Sequence, residues 1–358
     1  MLQLVQQMIK LRERQKKILG FITENTITGV SPILEFINKN DVEITRFSII
    51  RDLNILIENN LVEKVGGGRS VRYKQKEDNS LHKYIDIDDY FKKHQDERNL
   101  ISKNFEFNVF EKIKNLFTNE QLEKIDSLNY KFEENIKKIS PTIKKLEMER
   151  FIIELSWKSS QIEGNTYSLL DTEYLIKNRI EAEGHKKEEA IMILNHKVAL
   201  DFINNNTSYF KIVSIKKIEE LHKLITEGLG VNYGIRKSPV GITGTNYLPL
   251  DNEYQIREAI DKMMEVINEE KHPIIKAFLS LALISYIQPF EDGNKRTARI
   301  LANAILIANN FCPLSYRSVK EIDYKKAILV FYESHNLDPL KRMFIEQFEF
   351  AIKNYFRK

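Results

Sequence analysis

Cysteine occurs once in the 358 residues, at Cys312. That excludes an intramolecular disulfide framework and fits a reducing compartment. Cys312 follows a run rich in Ile, Ala and Leu, a setting that suits a small core residue better than a reactive thiol. Glycine and proline are scarce, 13 and 8 in all, which favours a mainly helical protein with short connections. No stretch reaches the roughly 18–20 uninterrupted apolar residues that span a bilayer. The segment Met1-Leu-Gln-Leu-Val-Gln-Gln lacks a basic region followed by an apolar core, so no secretory signal is read and a soluble cytoplasmic protein without membrane contact is expected. A large excess of one charge is missing too. The net +4, from 55 basic and 51 acidic side chains, is too small to mark the whole molecule as a nucleic-acid binder. What is present is ordinary for a globular chain: 42% hydrophobic and 30% charged residues, in a length that allows two or three domains.

The positive charge is concentrated at the front. Residues 11–76 carry twelve basic and eight acidic side chains, and twelve minus eight equals the excess of the whole chain. Apolar spacing predicts one helix around Ile18, Leu19 and Ile22 and a second after Pro32. A third, carrying Phe47 to Ile57, is capped by Thr45. Leu61–Val65 and Arg69–Lys74 then read as two strands about Gly66-Gly67-Gly68. This order resembles a winged helix-turn-helix over residues 1–76, in which the third helix would enter a DNA groove and the wing would touch phosphate. The resemblance makes Arg46 and Arg51 candidates on the helix, and Arg69, Arg72 and Lys74 candidates on the wing. The same module could instead dock a protein. Residues 77–99 are polar and are expected to form a linker.

The most informative stretch is Gln288-Pro-Phe-Glu-Asp-Gly-Asn-Lys-Arg-Thr-Ala-Arg299, set between two apolar runs. Pro289 blocks helix continuation, Gly293 permits unusual backbone angles, and Asp292 and Asn294 suit a helix start. A loop at a helix N-terminus attracts anions, and Arg296 and Arg299 stand three apart on the helix that follows. Asp292 could hold Mg2+, which commonly binds through one or two carboxylates plus substrate phosphates.

These twelve residues resemble the signature of Fic-domain proteins, His-Pro-Phe-x-(Asp/Glu)-Gly-Asn-x-Arg-x-x-Arg, at every defined position except the first. The resemblance covers roughly residues 100–358. It implies an all-helical core with a small β-hairpin flap, and transfer of AMP from ATP to a hydroxyl of a target protein, the chain itself being one candidate. By the same resemblance Gly293, Asn294, Arg296 and Arg299 would hold the ATP phosphates, Asp292 would bind Mg2+, and Gln288 stands where the family has its general-base histidine. A carboxamide has no titratable proton near neutral pH and cannot act as that base. Three readings stay open: a degenerate domain that binds nucleotide without transfer, an enzyme silenced by substitution of its histidine, and slow transfer without that base. A competing class is a transcriptional regulator that senses nucleotide through a degenerate Fic domain and binds DNA through the winged helix.

Other segments carry the resemblance further. Ser159-x-x-x-Glu163-Gly164, ending a helical stretch at about 150–164, resembles the family's inhibitory motif (Ser/Thr)-x-x-x-Glu-(Gly/Asn). It implies a bidentate Arg299–Glu163 pair that would withhold Arg299 from the γ-phosphate. Turn residues across 233–249 suggest a hairpin, and the family's flap clamps its target by strand addition, so Ile242, Thr243 and Gly244 are target candidates. The resemblance makes Tyr324 a candidate neighbour of adenine. His222, alone on an amphipathic helix, reads as a core or hydrogen-bonding residue. A homo-oligomer is compatible with all of this.

Overall fold

The computed structural model describes residues 11–25, 27–40, 44–59, 61–68, 71–76, 84–98, 100–114 and 116–357. The chain divides into two units, Met1–Arg98 and Asn99–Lys358. The first contains α1 (Glu13–Glu24), β1 (Ile27–Thr28), α2 (Val30–Asn40), α3 (Arg46–Glu58), β2 (Val62–Val65), β3 (Arg72–Gln75) and α4 (Ile87–Tyr90). The predicted periodicity holds: Ile18, Leu19, Ile33, Ile37, Leu53 and Leu56 meet in one core. Thr45 caps α3, its hydroxyl accepting from the Ser48 N–H at 3.4 Å. Buried Asp52 joins α3 to α1 by accepting from Arg14 Nε at 2.5 Å and Gln15 Nε2 at 3.0 Å.

The expected two-stranded hairpin is part of a three-stranded antiparallel sheet of order β1-β3-β2. Sequence reading missed β1, because two residues are too short to show a strand period. The expected linker needs correction as well. Of residues 77–99, the described part 84–98 lies in the first unit, forms α4 and a 3₁₀ turn at Gln95–Glu97, and places Tyr84 against the core. Asp86 makes this possible by capping α4, accepting from the N–H groups of Asp88 and Asp89.

The second unit is helical: α5 (Val109–Lys112), α6 (Asn119–Lys138), α7 (Pro141–Ile162), α8 (Leu169–Asn178), α9 (Lys187–Asn205), α10 (Ile215–Thr226), α11 (Glu253–Glu269), α12 (Pro273–Ile287), α13 (Asn294–Ala308), α14 (Glu321–Ser334) and α15 (Asp338–Asn354). Helix α12 is apolar on every side and buried throughout from Ile274 apart from Lys276, as a central helix must be. It packs along α13, and the short connection between them is the loop singled out by sequence. Helix α7 begins with Ser140 as N-cap and Pro141 at its first position, where a missing N–H costs nothing. It packs on α9 and reaches α13 with its C-terminal end.

Residues 233–249 depart from expectation. Among the described residues no strand pair forms there, so the hairpin carrying Ile242, Thr243 and Gly244 is absent as a hydrogen-bonded ladder. Two anchors replace it. At one end the Arg236 N–H donates to the Pro289 carbonyl at 3.0 Å. At the other, Leu248 bridges in parallel to Asn104, with Leu248 N–H on the Lys103 carbonyl and Phe105 N–H on the Leu248 carbonyl. Thr243-Gly244 is a turn, with Gly244 at φ 86°.

Candidate active site

Gln288 ends α12 in the left-handed region, φ 51°, and this reversal turns the chain into the loop. Its side chain points inward: Nε2 donates to the Ser285 carbonyl at 2.6 Å and lies 3.2 Å from the Tyr332 hydroxyl. Its own carbonyl accepts from buried Arg236 Nε at 2.7 Å. Arg236 also reaches the carbonyls of Ser238 and Leu250, so one planar fork ties Gln288 to the segment 236–250.

Gly293 caps α13 with φ 77°, and a Cβ there would stand 2.8 Å from Thr226 Cγ2. Both facts call for glycine. Asn294 binds backward into the loop: Phe290 N–H donates to its Oδ1 at 2.9 Å, and its Nδ2 donates to the Phe290 carbonyl at 2.8 Å. Its side chain is therefore occupied by the loop instead of lying open to a phosphate. His222 supports the same turn from α10. It stacks on Phe290 with ring centroids 3.7 Å apart and donates from Nε2 to the Asp292 carbonyl at 3.0 Å. Burial pushes its pKa down to about 4, so the ring is neutral, in agreement with the hydrogen-bonding role read from sequence.

Asp292 is exposed on the loop, as Glu291 beside it is, and its side chain is 71% accessible and 3.1 Å from Arg296 Nη2. Arg296 is buried, and its Nη1 lacks a hydrogen-bond partner. Burial lowers the Arg296 pKa from its ordinary value, and the like charge of Arg299 adds to that effect. A buried, incompletely paired guanidinium beside free helical N–H groups is suited to an anion. Among the described residues no group of three or more His, Cys, Asp or Glu could hold a metal ion. The Asp292 carboxylate fits only a Mg2+ that takes its remaining ligands from substrate and water.

Arg299 lies fully buried against the end of α7. Its Nη2 donates to Glu163 Oε1 at 2.8 Å and to the Ser159 carbonyl at 2.9 Å, and its Nε donates to Ser159 Oγ at 2.9 Å. The expected Arg299–Glu163 contact exists, but it is not bidentate, because Ser159 takes a share of the fork. The second carboxylate oxygen faces Lys295 Nζ at 3.6 Å. Burial alone would raise the Glu163 pKa; the charges of Arg299 and then Lys295 outweigh it and hold it at about 2. Gly164 follows at φ 98°, the backbone needed to leave the helix.

Tyr324, the expected neighbour of adenine, is fully buried, with the Arg299 guanidinium 5.2 Å from its ring centroid. Sequence reading missed His196, Lys295 and Arg236. Lys295 occupies an undefined position of the signature, Arg236 acts through backbone carbonyls, and His196 sits on α9 with no local motif.

In the first unit, Arg46 Nη1 donates to Ser31 Oγ at 3.2 Å, and Arg51 is exposed on α3. Arg72 is exposed on β3, whereas Lys74 pairs with Glu63 at 2.8 Å, directly across the strand pair. Arg69 lies outside the described residues. No described helix is long and apolar enough to cross a membrane. Cys312 is buried, consistent with a core role.

Comparison with known proteins places this geometry. The family model of the Fic/DOC family matches residues 212–306. The chain is 31% identical over 213 residues to the protein adenylyltransferase Fic of Nematostella vectensis, covering 57% of this chain and 48% of that relative. It is 29% identical over 161 residues to the protein of the same name from Drosophila willistoni, covering 44% and 32%. The chain thus spans less than half the length of these curated relatives. Among solved structures, Fic-1 from C. elegans superposes with a TM-score of 0.56 at 22% identity, covering 66% of this chain and 70% of that one. A Fic domain containing signaling protein from Bacteroides thetaiotaomicron gives 0.53 at 19%, covering 64% and 94%. The residues that match the Fic/DOC family model run from α10 through the loop Gln288–Gly293 into α13.

Proposed function

We propose that the second unit is a protein adenylyltransferase held in an inhibited state by Glu163 and impaired by Gln288. The observation that carries the reading is the Arg299–Glu163 contact at 2.8 Å, formed across 136 residues of sequence beside the phosphate-attracting loop. ATP would place its phosphates over the N-terminus of α13, against the backbone N–H groups after Gly293 and the guanidinium of Arg296. Asn294 would contribute by holding the loop. Asp292 would hold Mg2+, which would offset the charge of the phosphates. Arg299 would meet the terminal phosphate once Glu163 withdrew. The target hydroxyl would attack the α-phosphorus, forming one P–O bond while the bond to the β-phosphate breaks and pyrophosphate leaves. The hydroxyl proton needs an acceptor, and the Gln288 carboxamide is none. Loss of a positioned base costs on the order of 10²–10⁴-fold.

The test is calorimetric titration of ATP with Mg2+ into the chain as given and into Glu163→Gly. Freeing Arg299 is expected to tighten binding by about tenfold or more. Equal affinity in the two proteins would contradict inhibition by Glu163.

One observation favours a second role, for the first unit. Phe47, Arg51 and Asn54 lie on one exposed face of α3, with Phe47 84% accessible. A helix presenting an aromatic, a cation and an amide side by side suits a nucleic-acid groove. Binding of duplex DNA that weakens steeply with salt is the expected result; no binding at low salt would contradict it.

A further inference from the structure

The Arg299 fork is held by more than a carboxylate, and its second support ends in a residue that no motif marks. Ser159 Oγ accepts from Arg299 Nε at 2.9 Å and lies 2.7 Å from His196 Nε2. On the other side of the ring, His196 Nδ1 lies 2.8 Å from the Met192 carbonyl, a group that can only accept. The proton of the neutral ring is therefore on Nδ1, and Nε2 is the acceptor. The Ser159 hydroxyl must then give its hydrogen to His196, which turns its lone pairs toward Arg299. All three side chains are buried, so water does not replace the bonds from Arg299 to Ser159 and from Ser159 to His196.

We propose that His196 is a positioning residue for Arg299: from α9 it fixes the Ser159 hydroxyl, and through it the plane of the guanidinium that meets the terminal phosphate. The inference rests on the adenylyltransferase reading above and deepens it. Glu163 accepts only one of the hydrogen bonds that Arg299 makes to the end of α7; the two accepted by Ser159 do not involve Glu163. The end of α7 thus has two separable actions. Glu163 occupies the place of an anion, whereas the His196–Ser159 pair keeps Arg299 aimed at it. A protonated His196 could not accept from Ser159, and with Arg296 and Arg299 nearby and Glu163 as the facing carboxylate, the neutral ring is the form that fits.

The experiment uses the Glu163→Gly full chain as parent, with His196→Leu, His196→Gln or Ser159→Ala added. ATP affinity with Mg2+ is read by calorimetry and folding by thermal unfolding. His196→Leu and Ser159→Ala are each expected to weaken ATP binding by about tenfold. His196→Gln, whose amide oxygen can accept from Ser159, is expected to recover most of it. A second reading does not use nucleotide: the Arg299 Nε–H resonance, assigned with Arg299→Lys, should exchange slowly in the parent and rapidly in His196→Leu and Ser159→Ala. Should His196→Leu fail to fold, Ser159→Ala and His196→Gln carry the comparison. Unchanged ATP affinity and unchanged exchange in folded variants would overturn the proposal. Exchange that follows His196 while the parent binds no ATP would support the positioning of Arg299 and sink the ATP reading instead.

Discussion

Glu163 and the two buried histidines are all shifted downward, but from different ordinary values, and the two pH windows set what pH can do to the site. The Glu163 carboxyl is held at about 2, below its ordinary 4.5. Its contribution to the clamp is therefore present above about 4.5 and lost as pH falls toward 2. The ratio of ATP affinities between Glu163→Gly and the chain as given should accordingly stay constant from about pH 6 to 8 by calorimetry. A ratio that drifts by more than about threefold across that range would mean that another group gates the clamp. Burial holds His196 at about 3 and His222 at about 4, below the ordinary 6.5. Neutral histidines of this kind stabilise the fold fully above about 6.5, and that stability drains away as pH falls through 6.5 toward 4. The melting temperature should fall from pH 7 to 5, and His196→Gln should flatten the fall; an unaltered pH profile would show that this ring does not titrate on unfolding. At Gly293, substitution by alanine meets both φ 77° and Thr226 Cγ2 at 2.8 Å. A loss of about 1–3 kcal/mol with weakened ATP binding is expected; a variant as stable as the parent would contradict the fit. Gly293 and Arg299 were legible in the sequence because the chemistry repeats a spaced motif. His196 was not, because a lone histidine on an apolar helix looks like any core residue until Ser159 is placed beside it.

At the scale of elements, the loop from Gln288 to Gly293 keeps its shape because neighbouring segments hold its carbonyls. Arg236 grips the Gln288 carbonyl, His222 the Asp292 carbonyl and Asn294 the Phe290 carbonyl. Arg236→Lys would keep one charge but lose the planar fork that reaches Ser238 and Leu250 as well. Limited proteolysis within residues 236–250 should then speed up at unchanged temperature, and an unchanged cutting rate would show that the Leu248 bridge to Asn104 suffices. Helices α7, α10, α12 and α13 were legible from apolar period, although the Ser140 cap that starts α7 emerges only in the structure. The flap was misread as a ladder for an identifiable reason. Glycine and proline turns mark where a chain bends, yet they carry no information on whether the arms pair with each other or, as Leu248 does, with a distant segment.

At the scale of the whole molecule, two units with different chemistry share one chain: a small helical unit with a three-stranded sheet, and a larger helical unit holding the signature loop. The front unit's order of helices and strands was legible because its hydrophobic periods change at Thr45 and Gly66-Gly67-Gly68. Its partner was not, since Lys74 is spent on Glu63 while Arg51 stays exposed, a contrast no sequence pattern shows. If α3 reads DNA, Arg51→Ala should weaken binding and shallow its salt dependence by about one ion; identical salt slopes would exclude a phosphate contact by Arg51. The measurement that bears most directly on the central claim is transfer of labelled AMP from ATP with Mg2+, to added proteins and to the chain itself. It compares the chain as given, Gln288→His, and Gln288→His with Glu163→Gly. The account predicts little labelling in the first, more in the second and most in the third. Labelling that is absent from all three, or that does not rise when Glu163 is removed, would contradict an adenylyltransferase restrained by Glu163.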